Sequence, residues 1–218
     1  MKRQTHFSAK KLVLLAMLSA VSYLIVSLVR IPVVLFLSYE PKDVIITVGG
    51  FLMGPMASFV ISLVVSLLEM VTFSQTGPVG ALMNLLSTCS FACTAAFVYK
   101  KRRTLNGAVL GLACGTVVMV TVMLLWNWLI TPLYMGVTRD AVAGMLIPVF
   151  LPFNLLKAGF NSAFVLVLYK PLVTALRKTG LISTKPANNG SVKLGIYLLG
   201  MGLLACCILL LLVYQGKL

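Results

Sequence analysis

The sequence predicts an all-α, polytopic membrane helical bundle, and three observations carry that prediction. Of the 218 residues, 60% are hydrophobic and 10% are charged, against about 45–50% and about 25% in an ordinary soluble domain. Apolar runs recur at about twenty residues, the length a helix needs to cross a hydrocarbon core about 30 Å thick. The Lys and Arg residues gather at the ends of those runs. A chain of this length holds roughly six or seven such helices, with no room for a separate soluble domain. The formal charge of +14 is therefore explained by membrane topology, and no nucleic-acid partner is expected.

The segment from Met1 to Lys11 carries Lys2, Arg3, Lys10 and Lys11 and leads into an apolar run from Leu12 to Val29. This run exceeds the roughly 7–15 residues of a signal-peptide core, and Arg30-Ile31-Pro32 closes it without a small-residue cleavage site, so it reads as a first span. An irregular stretch, Ile31 to Asp43, follows. Val44 to Met53 and Met56 to Phe73 read as a short helix and a full-length one, separated by the Gly54-Pro55 turn. After a turn at Ser74 to Pro78, Val79 to Tyr99 is a further span, ended by Lys100-Lys101-Arg102-Arg103. The next runs from about Leu105 to Ile130. Thr131 to Ile147, with Pro132, Gly136, Arg139, Asp140 and Gly144, reads as a structured loop at the membrane surface. Pro148 to Leu176 is again apolar, Arg177 to Lys193 is a polar linker, and Leu194 to Tyr214 is a last, nearly featureless span.

Cytoplasmic loops collect Lys and Arg. With the N-terminus inside, every basic cluster falls on the cytoplasmic side of a cell membrane. The Tyr39 to Asp43 segment, the Ser74 to Pro78 turn and the Thr131 to Ile147 loop then share the outer side. Irregular polar backbone at membrane depth is tolerated where protein buries it or where it lines a cavity, so their co-location points to an outward-facing site.

Within the spans, Lys157 stands out, because a Lys near a helix centre costs about 2.5–3.5 kcal/mol on the insertion scale. Asn154, three residues earlier, shares its helix face, and together they offer several donors and one acceptor. Snorkelling of Lys157 and a helix-to-helix bond from Asn154 is the competing structural reading. Asn127 is a second buried-amide candidate, in the run Trp126-Asn127-Trp128, where the two Trp residues fit either a site or an interfacial belt. Only four acidic residues occur, Glu40, Asp43, Glu69 and Asp140. Glu69 reads equally as a solvated helix end, a partner for Lys157 or a ligand group. Glu40 and Asp43 read as exposed loop charges, or Asp43 as the cap of the helix from Val44. Ala16-x-x-x-Ala20 and Gly107-x-x-x-Gly111-x-x-x-Gly115 are close-packing patterns, the glycines within the bundle, the alanines against either the bundle or a partner.

Five cysteines lie in apolar stretches and read as small hydrophobes, without the His or further Cys of a metal site. The sequence contains no Gly-x-x-x-x-Gly-Lys-Ser/Thr loop for nucleotide phosphate. Its single histidine, His6, lies in the basic N-terminal tail, so no hydrolase arrangement is built in the membrane. An enzyme is not expected.

The order and spacing of several elements resemble the substrate-binding S components of energy-coupling factor (ECF) vitamin transporters, within them the riboflavin-specific type. The elements are Ala16-x-x-x-Ala20, Gly49-Gly50-Phe51-x-x-Gly54-Pro55, Gly77-Pro78 with Met83-Asn84, Asn127-x-x-x-x-Pro132-Leu133-Tyr134, and Leu151-Pro152-Phe153-Asn154-x-x-Lys157. The resemblance covers most of residues 10 to 178. It implies a six-helix substrate-binding domain over 1–178, from which the cytoplasmic linker over 179–193 and the additional transmembrane helix with a short tail over 194–218 are a departure, not required by the family core. It further implies riboflavin as a transported ligand with no cofactor. Asn127, Asn154 and Lys157 match flavin-contacting positions, with Tyr39, Met83 and Glu69 as further candidates. The implied partners are a transmembrane coupling subunit, facing Ala16 and Ala20, and two cytoplasmic ATPase subunits. Three alternatives stand beside this reading. An S component for another vitamin would differ in ligand selectivity. An autonomous ion-coupled carrier would call for paired intramembrane acids or an inverted repeat, and neither is evident. A structural or assembly protein would tolerate loss of Asn127, Asn154 and Lys157.

Overall fold

A computed structural model describes residues 9–35, 37–72, 77–178 and 194–214. The readings of the N-terminal tail, of most of the Ser74 to Pro78 turn, of the linker over 179–193 and of the last four residues lie outside them. Among the described residues, five helices are long and apolar enough to cross a membrane, and the whole is the helical bundle expected.

Helix α1 (Ala9–Leu28) buries Leu14, Leu15, Leu18 and Val26 in a cluster with Ile45, Ile46, Ala57, Ile61 and Val65 of the next two helices. Ala16 and Ala20 lie on its exposed side. The irregular stretch after Arg30 is a β-hairpin, β1 (Ile31–Val34) against β2 (Leu37–Tyr39), antiparallel with Ile31 opposite Tyr39 and an irregularity between Pro32 and Val34. Leu35 in the turn has a φ of 51°, a left-handed conformation uncommon for a side chain of this size.

Helix α2 (Lys42–Met53) has 12 residues and is about 18 Å long at 1.5 Å per residue, well short of a bilayer. Its polar start is therefore sunk inside the bundle, beneath the hairpin. Gly54, at a φ of 99°, makes the sharp turn, and Pro55 opens α3 (Pro55–Thr72), where its missing N–H costs nothing. Helices α4 (Gly77–Lys101) and α5 (Leu105–Met135) pack very closely. A Cβ on Gly111 would stand 2.6 Å from the Ala95 carbonyl oxygen, and one on Gly115 would stand 2.7 Å from that of Phe91. The glycine ribbon thus serves packing within the bundle.

The loop expected over Thr131 to Ile147 is largely helical. Helix α5 runs through Pro132 to Met135 and stops at Gly136, whose φ of 66° and N–H to the Pro132 carbonyl form a left-handed cap. Thr138 then caps α6 (Arg139–Met145) by accepting from the Ala141 N–H. The prolines and glycines here end and restart helices, which is why the composition resembled a loop. A π-helical turn, Leu146–Phe150, joins α6 to α7 (Leu151–Lys178), and such turns often mark functional positions.

Helix α8 (Leu194–Tyr214) packs antiparallel on α7, with Gly159 facing Cys207 and Gly200 facing Val167. The extra apolar segment is therefore part of the bundle. At the end of the bundle opposite the hairpin, Phe51 stacks on Tyr99 at 4.4 Å, and the Tyr99 and Tyr169 hydroxyls meet at 2.8 Å. The exposed Lys100 to Arg103 lie at that end.

Candidate functional site

Under the hairpin lies a cavity of about 380 Å³, within the range of about 300–1,000 Å³ usual for small-molecule sites. Hairpin residues Pro32, Leu35, Leu37 and Ser38 form one wall. Met70 of α3, Met83, Asn84 and Ser87 of α4, Met123 of α5, and Phe153, Asn154 and Lys157 of α7 complete it, with Arg30, Glu40 and Glu69 contributing charge. The lining is about evenly divided between apolar and polar groups, and a ligand with both characters needs both.

Two connected ionic groups hold the walls together. In the first, Arg30 reaches Glu40 at 2.8 Å, Lys42 reaches the other Glu40 oxygen at 2.6 Å, and Lys42 also pairs with Glu69. Asn84 donates to the second Glu69 oxygen at 3.1 Å. This group joins the end of α1, the start of α2, α3 and α4. In the second, Lys157 Nζ lies 3.3 Å from Asp43 Oδ2 and donates to Ser87 at 3.3 Å. Asp43 also accepts from Thr88 at 2.7 Å and Asn161 at 3.3 Å, and Asn161 accepts from the Tyr39 hydroxyl at 3.1 Å.

Three cations thus face three carboxylates, all but Arg30 buried. A buried charge is tolerated only when it is compensated, and here each buried charge has an ion partner within 3.3 Å. For Glu40, in the connection between β2 and α2, burial pushes the carboxyl up, but Lys42, Lys157 and Arg30 outweigh it and hold the group below its ordinary value.

The structure brings four of the six expected substrate residues to the cavity wall: Asn154, Lys157, Met83 and Glu69. Asn127 and Tyr39 are not on it. Asn127 is fully buried, donating to the Met123 carbonyl at 2.7 Å and accepting from Thr131 at 2.9 Å, one helical turn beyond the wall residue Met123. Tyr39 turns to α7, its ring 5.1 Å from that of Phe160. Glu69, left open between three roles, is the partner of Lys42. Lys157 pairs with Asp43.

Two expectations are corrected. Glu40 and Asp43 are not exposed loop charges, because the short α2 begins inside the bundle and carries them with it. Nor does Asp43 cap α2. That position is Pro41, without a side-chain bond, and the Asp43 carboxylate is committed to Thr88, Asn161 and Lys157. Sequence reasoning also passed over Arg30, Lys42, Ser87 and Phe153. The density of charge from Glu40 to Asp43 beside apolar runs was the available signal for Lys42.

Residues 10–169 match the family described as "ECF transporter, substrate-specific component". The chain is 29% identical over 178 residues to the riboflavin transporter RibU of Staphylococcus aureus, covering 78% of this chain and 93% of the relative. It is 28% identical over 160 residues to the riboflavin transporter FmnP of Bacillus subtilis, covering 68% of this chain and 84% of the relative. A solved structure of the S component of a bacterial ECF transporter superposes with a TM-score of 0.65 at 30% identity, covering 77% of this chain and 98% of the other. By this match over most of its length and by the shared fold, the chain belongs to the substrate-specific components of ECF transporters.

Proposed function

We propose that this subunit binds riboflavin in the cavity beneath the hairpin and delivers it inward as part of an ECF-type importer. The observation that carries the reading is the placement of Asn154 and Lys157 side by side on the wall of a cavity that also presents Met70, Met83, Met123 and Phe153. Riboflavin is an uncharged flavin ring with a polyhydroxyl chain, and the site matches that duality. Methionines and Phe153 supply ring contact, amide and ammonium groups meet hydroxyls and ring heteroatoms, and the balance of three cations against three carboxylates suits a neutral ligand. The names of the relatives support the same ligand.

In this reading the hairpin end faces outward, the N-terminus is cytoplasmic and the protein resides in the cell membrane. Riboflavin is cargo, and no cofactor is involved. The subunit has no ATPase of its own. A transmembrane coupling subunit and two cytoplasmic ATPases supply the energy, with the exposed Ala16 and Ala20 face of α1 toward the coupling subunit, where small residues permit close helix approach.

The test is a riboflavin fluorescence-quenching titration on the purified chain in detergent, with thiamine and biotin as competitors. Saturable quenching that neither competitor reverses is expected. A folded chain that does not quench riboflavin would remove this ligand and leave another vitamin as the cargo.

A further inference from the structure

Helix α8 lies beyond residues 10–169, the part of the chain that matches the family, yet it touches the element that covers the cavity. Cys207 is buried in one cluster with Tyr39 of the hairpin and Leu156 and Phe160 of α7, and Leu211 and the hairpin's Val33 pack against that cluster. A two-stranded hairpin is only marginally stable by itself. This one is held on one side by its ion pairs and the Tyr39 to Asn161 bond, and on the other by α8. The approach of α8 depends on Gly159, where an added Cβ would stand 2.6 Å from the Cys207 sulfur.

We propose that α8 is a clamp on the hairpin, holding Tyr39 and Val33 against α7 and so slowing ligand escape from the cavity the hairpin walls. The ligand's identity rests on the riboflavin reading, whereas the clamp does not. Two variants of the chain test it. Leu211→Ala trims the contact with the cluster from the α8 side. Gly159→Leu forces α8 away from α7.

The primary readout is amide hydrogen exchange over residues 31–39 of the ligand-free chain. We expect about a threefold rise in Leu211→Ala and about a tenfold rise in Gly159→Leu, with α4 and α5 unchanged, since local opening is governed by local contacts. Hairpin exchange in Leu211→Ala that stays at the native rate overturns the clamp, whether or not Gly159→Leu folds. So does a rise shared equally by α4 and α5. Riboflavin release, followed by fluorescence on dilution, should quicken in step with hairpin exchange. A native chain that binds no riboflavin removes the ligand reading, and the exchange result still decides the clamp.

Discussion

The Lys157 ammonium stands 3.3 Å from the Asp43 carboxylate, joining the second turn of α7 to the start of α2 at the cavity wall. Neither residue has another ion partner within that group, so each makes burial of the other tolerable, and the pair positions the ammonium beside the space a ligand would fill.

Replacing Lys157 by Ala removes a donor from the wall and leaves Asp43 buried with neutral partners only. A lost charged hydrogen bond is worth about 1.5–3 kcal/mol, or about 10- to 150-fold in affinity. Riboflavin titration of Lys157→Ala should show a loss in that range. Unchanged affinity in a folded variant would remove Lys157 from the site.

Asn154 and Asn127 each donate one amide hydrogen to the carbonyl four residues back, of Phe150 and Met123 respectively. An amide has a second donor hydrogen, and only Asn154 stands on the cavity wall. Asn154→Ala is expected to weaken riboflavin about tenfold, the value of one neutral hydrogen bond. Asn127→Ala should cost less, and parallel titrations that reverse this order would place Asn127 in direct contact.

Lys42 is 1% exposed and shared by Glu40 and Glu69. Lys42→Met keeps the bulk but leaves Glu69 without a cation and Glu40 with Arg30 alone, and breaking such a buried group costs about 3–5 kcal/mol. Thermal unfolding in detergent should show a large drop, bigger than that of Lys157→Met, which takes a cation from Asp43 only.

The depressed Glu40 carboxyl carries a pH dependence with a definite sign. Its contribution is fully present above the unfolded value of about 4.3 and is lost as pH falls through the lower folded value. The share of stability that Glu40 contributes should therefore hold from neutrality to about pH 5 and decline below. Glu40→Gln should remove part of that acid-side decline while lowering stability at neutral pH.

Ala16 and Ala20 are exposed on α1 and lie away from the cavity. Ala16→Leu with Ala20→Leu should leave riboflavin affinity within about twofold, while preventing co-purification with the coupling subunit, because bulky residues keep helix backbones apart. Intact complexes would exclude this face as the docking surface.

The linear sequence specifies the bundle, its spans, and the part of α7 that bears Asn154 and Lys157. Those features depend on local properties: apolar run length, and the cost of a polar group at membrane depth. It also determined the packing role of Gly111 and Gly115, since small residues four apart have few other uses. Who pairs with whom is set by tertiary contacts. Glu40 and Asp43 read as solvated because local sequence shows charge next to a turn. They are buried because α2 is too short to span and starts inside the bundle, where Lys42 and Lys157 come from different helices to meet them. The continuation of α5 through Pro132, the turning of Tyr39 to Asn161 rather than to the cavity, and the seating of α8 on Gly159 were decided in the same way. Each is settled by contacts between residues far apart in the chain, and those contacts leave no periodic trace in the segments that make them.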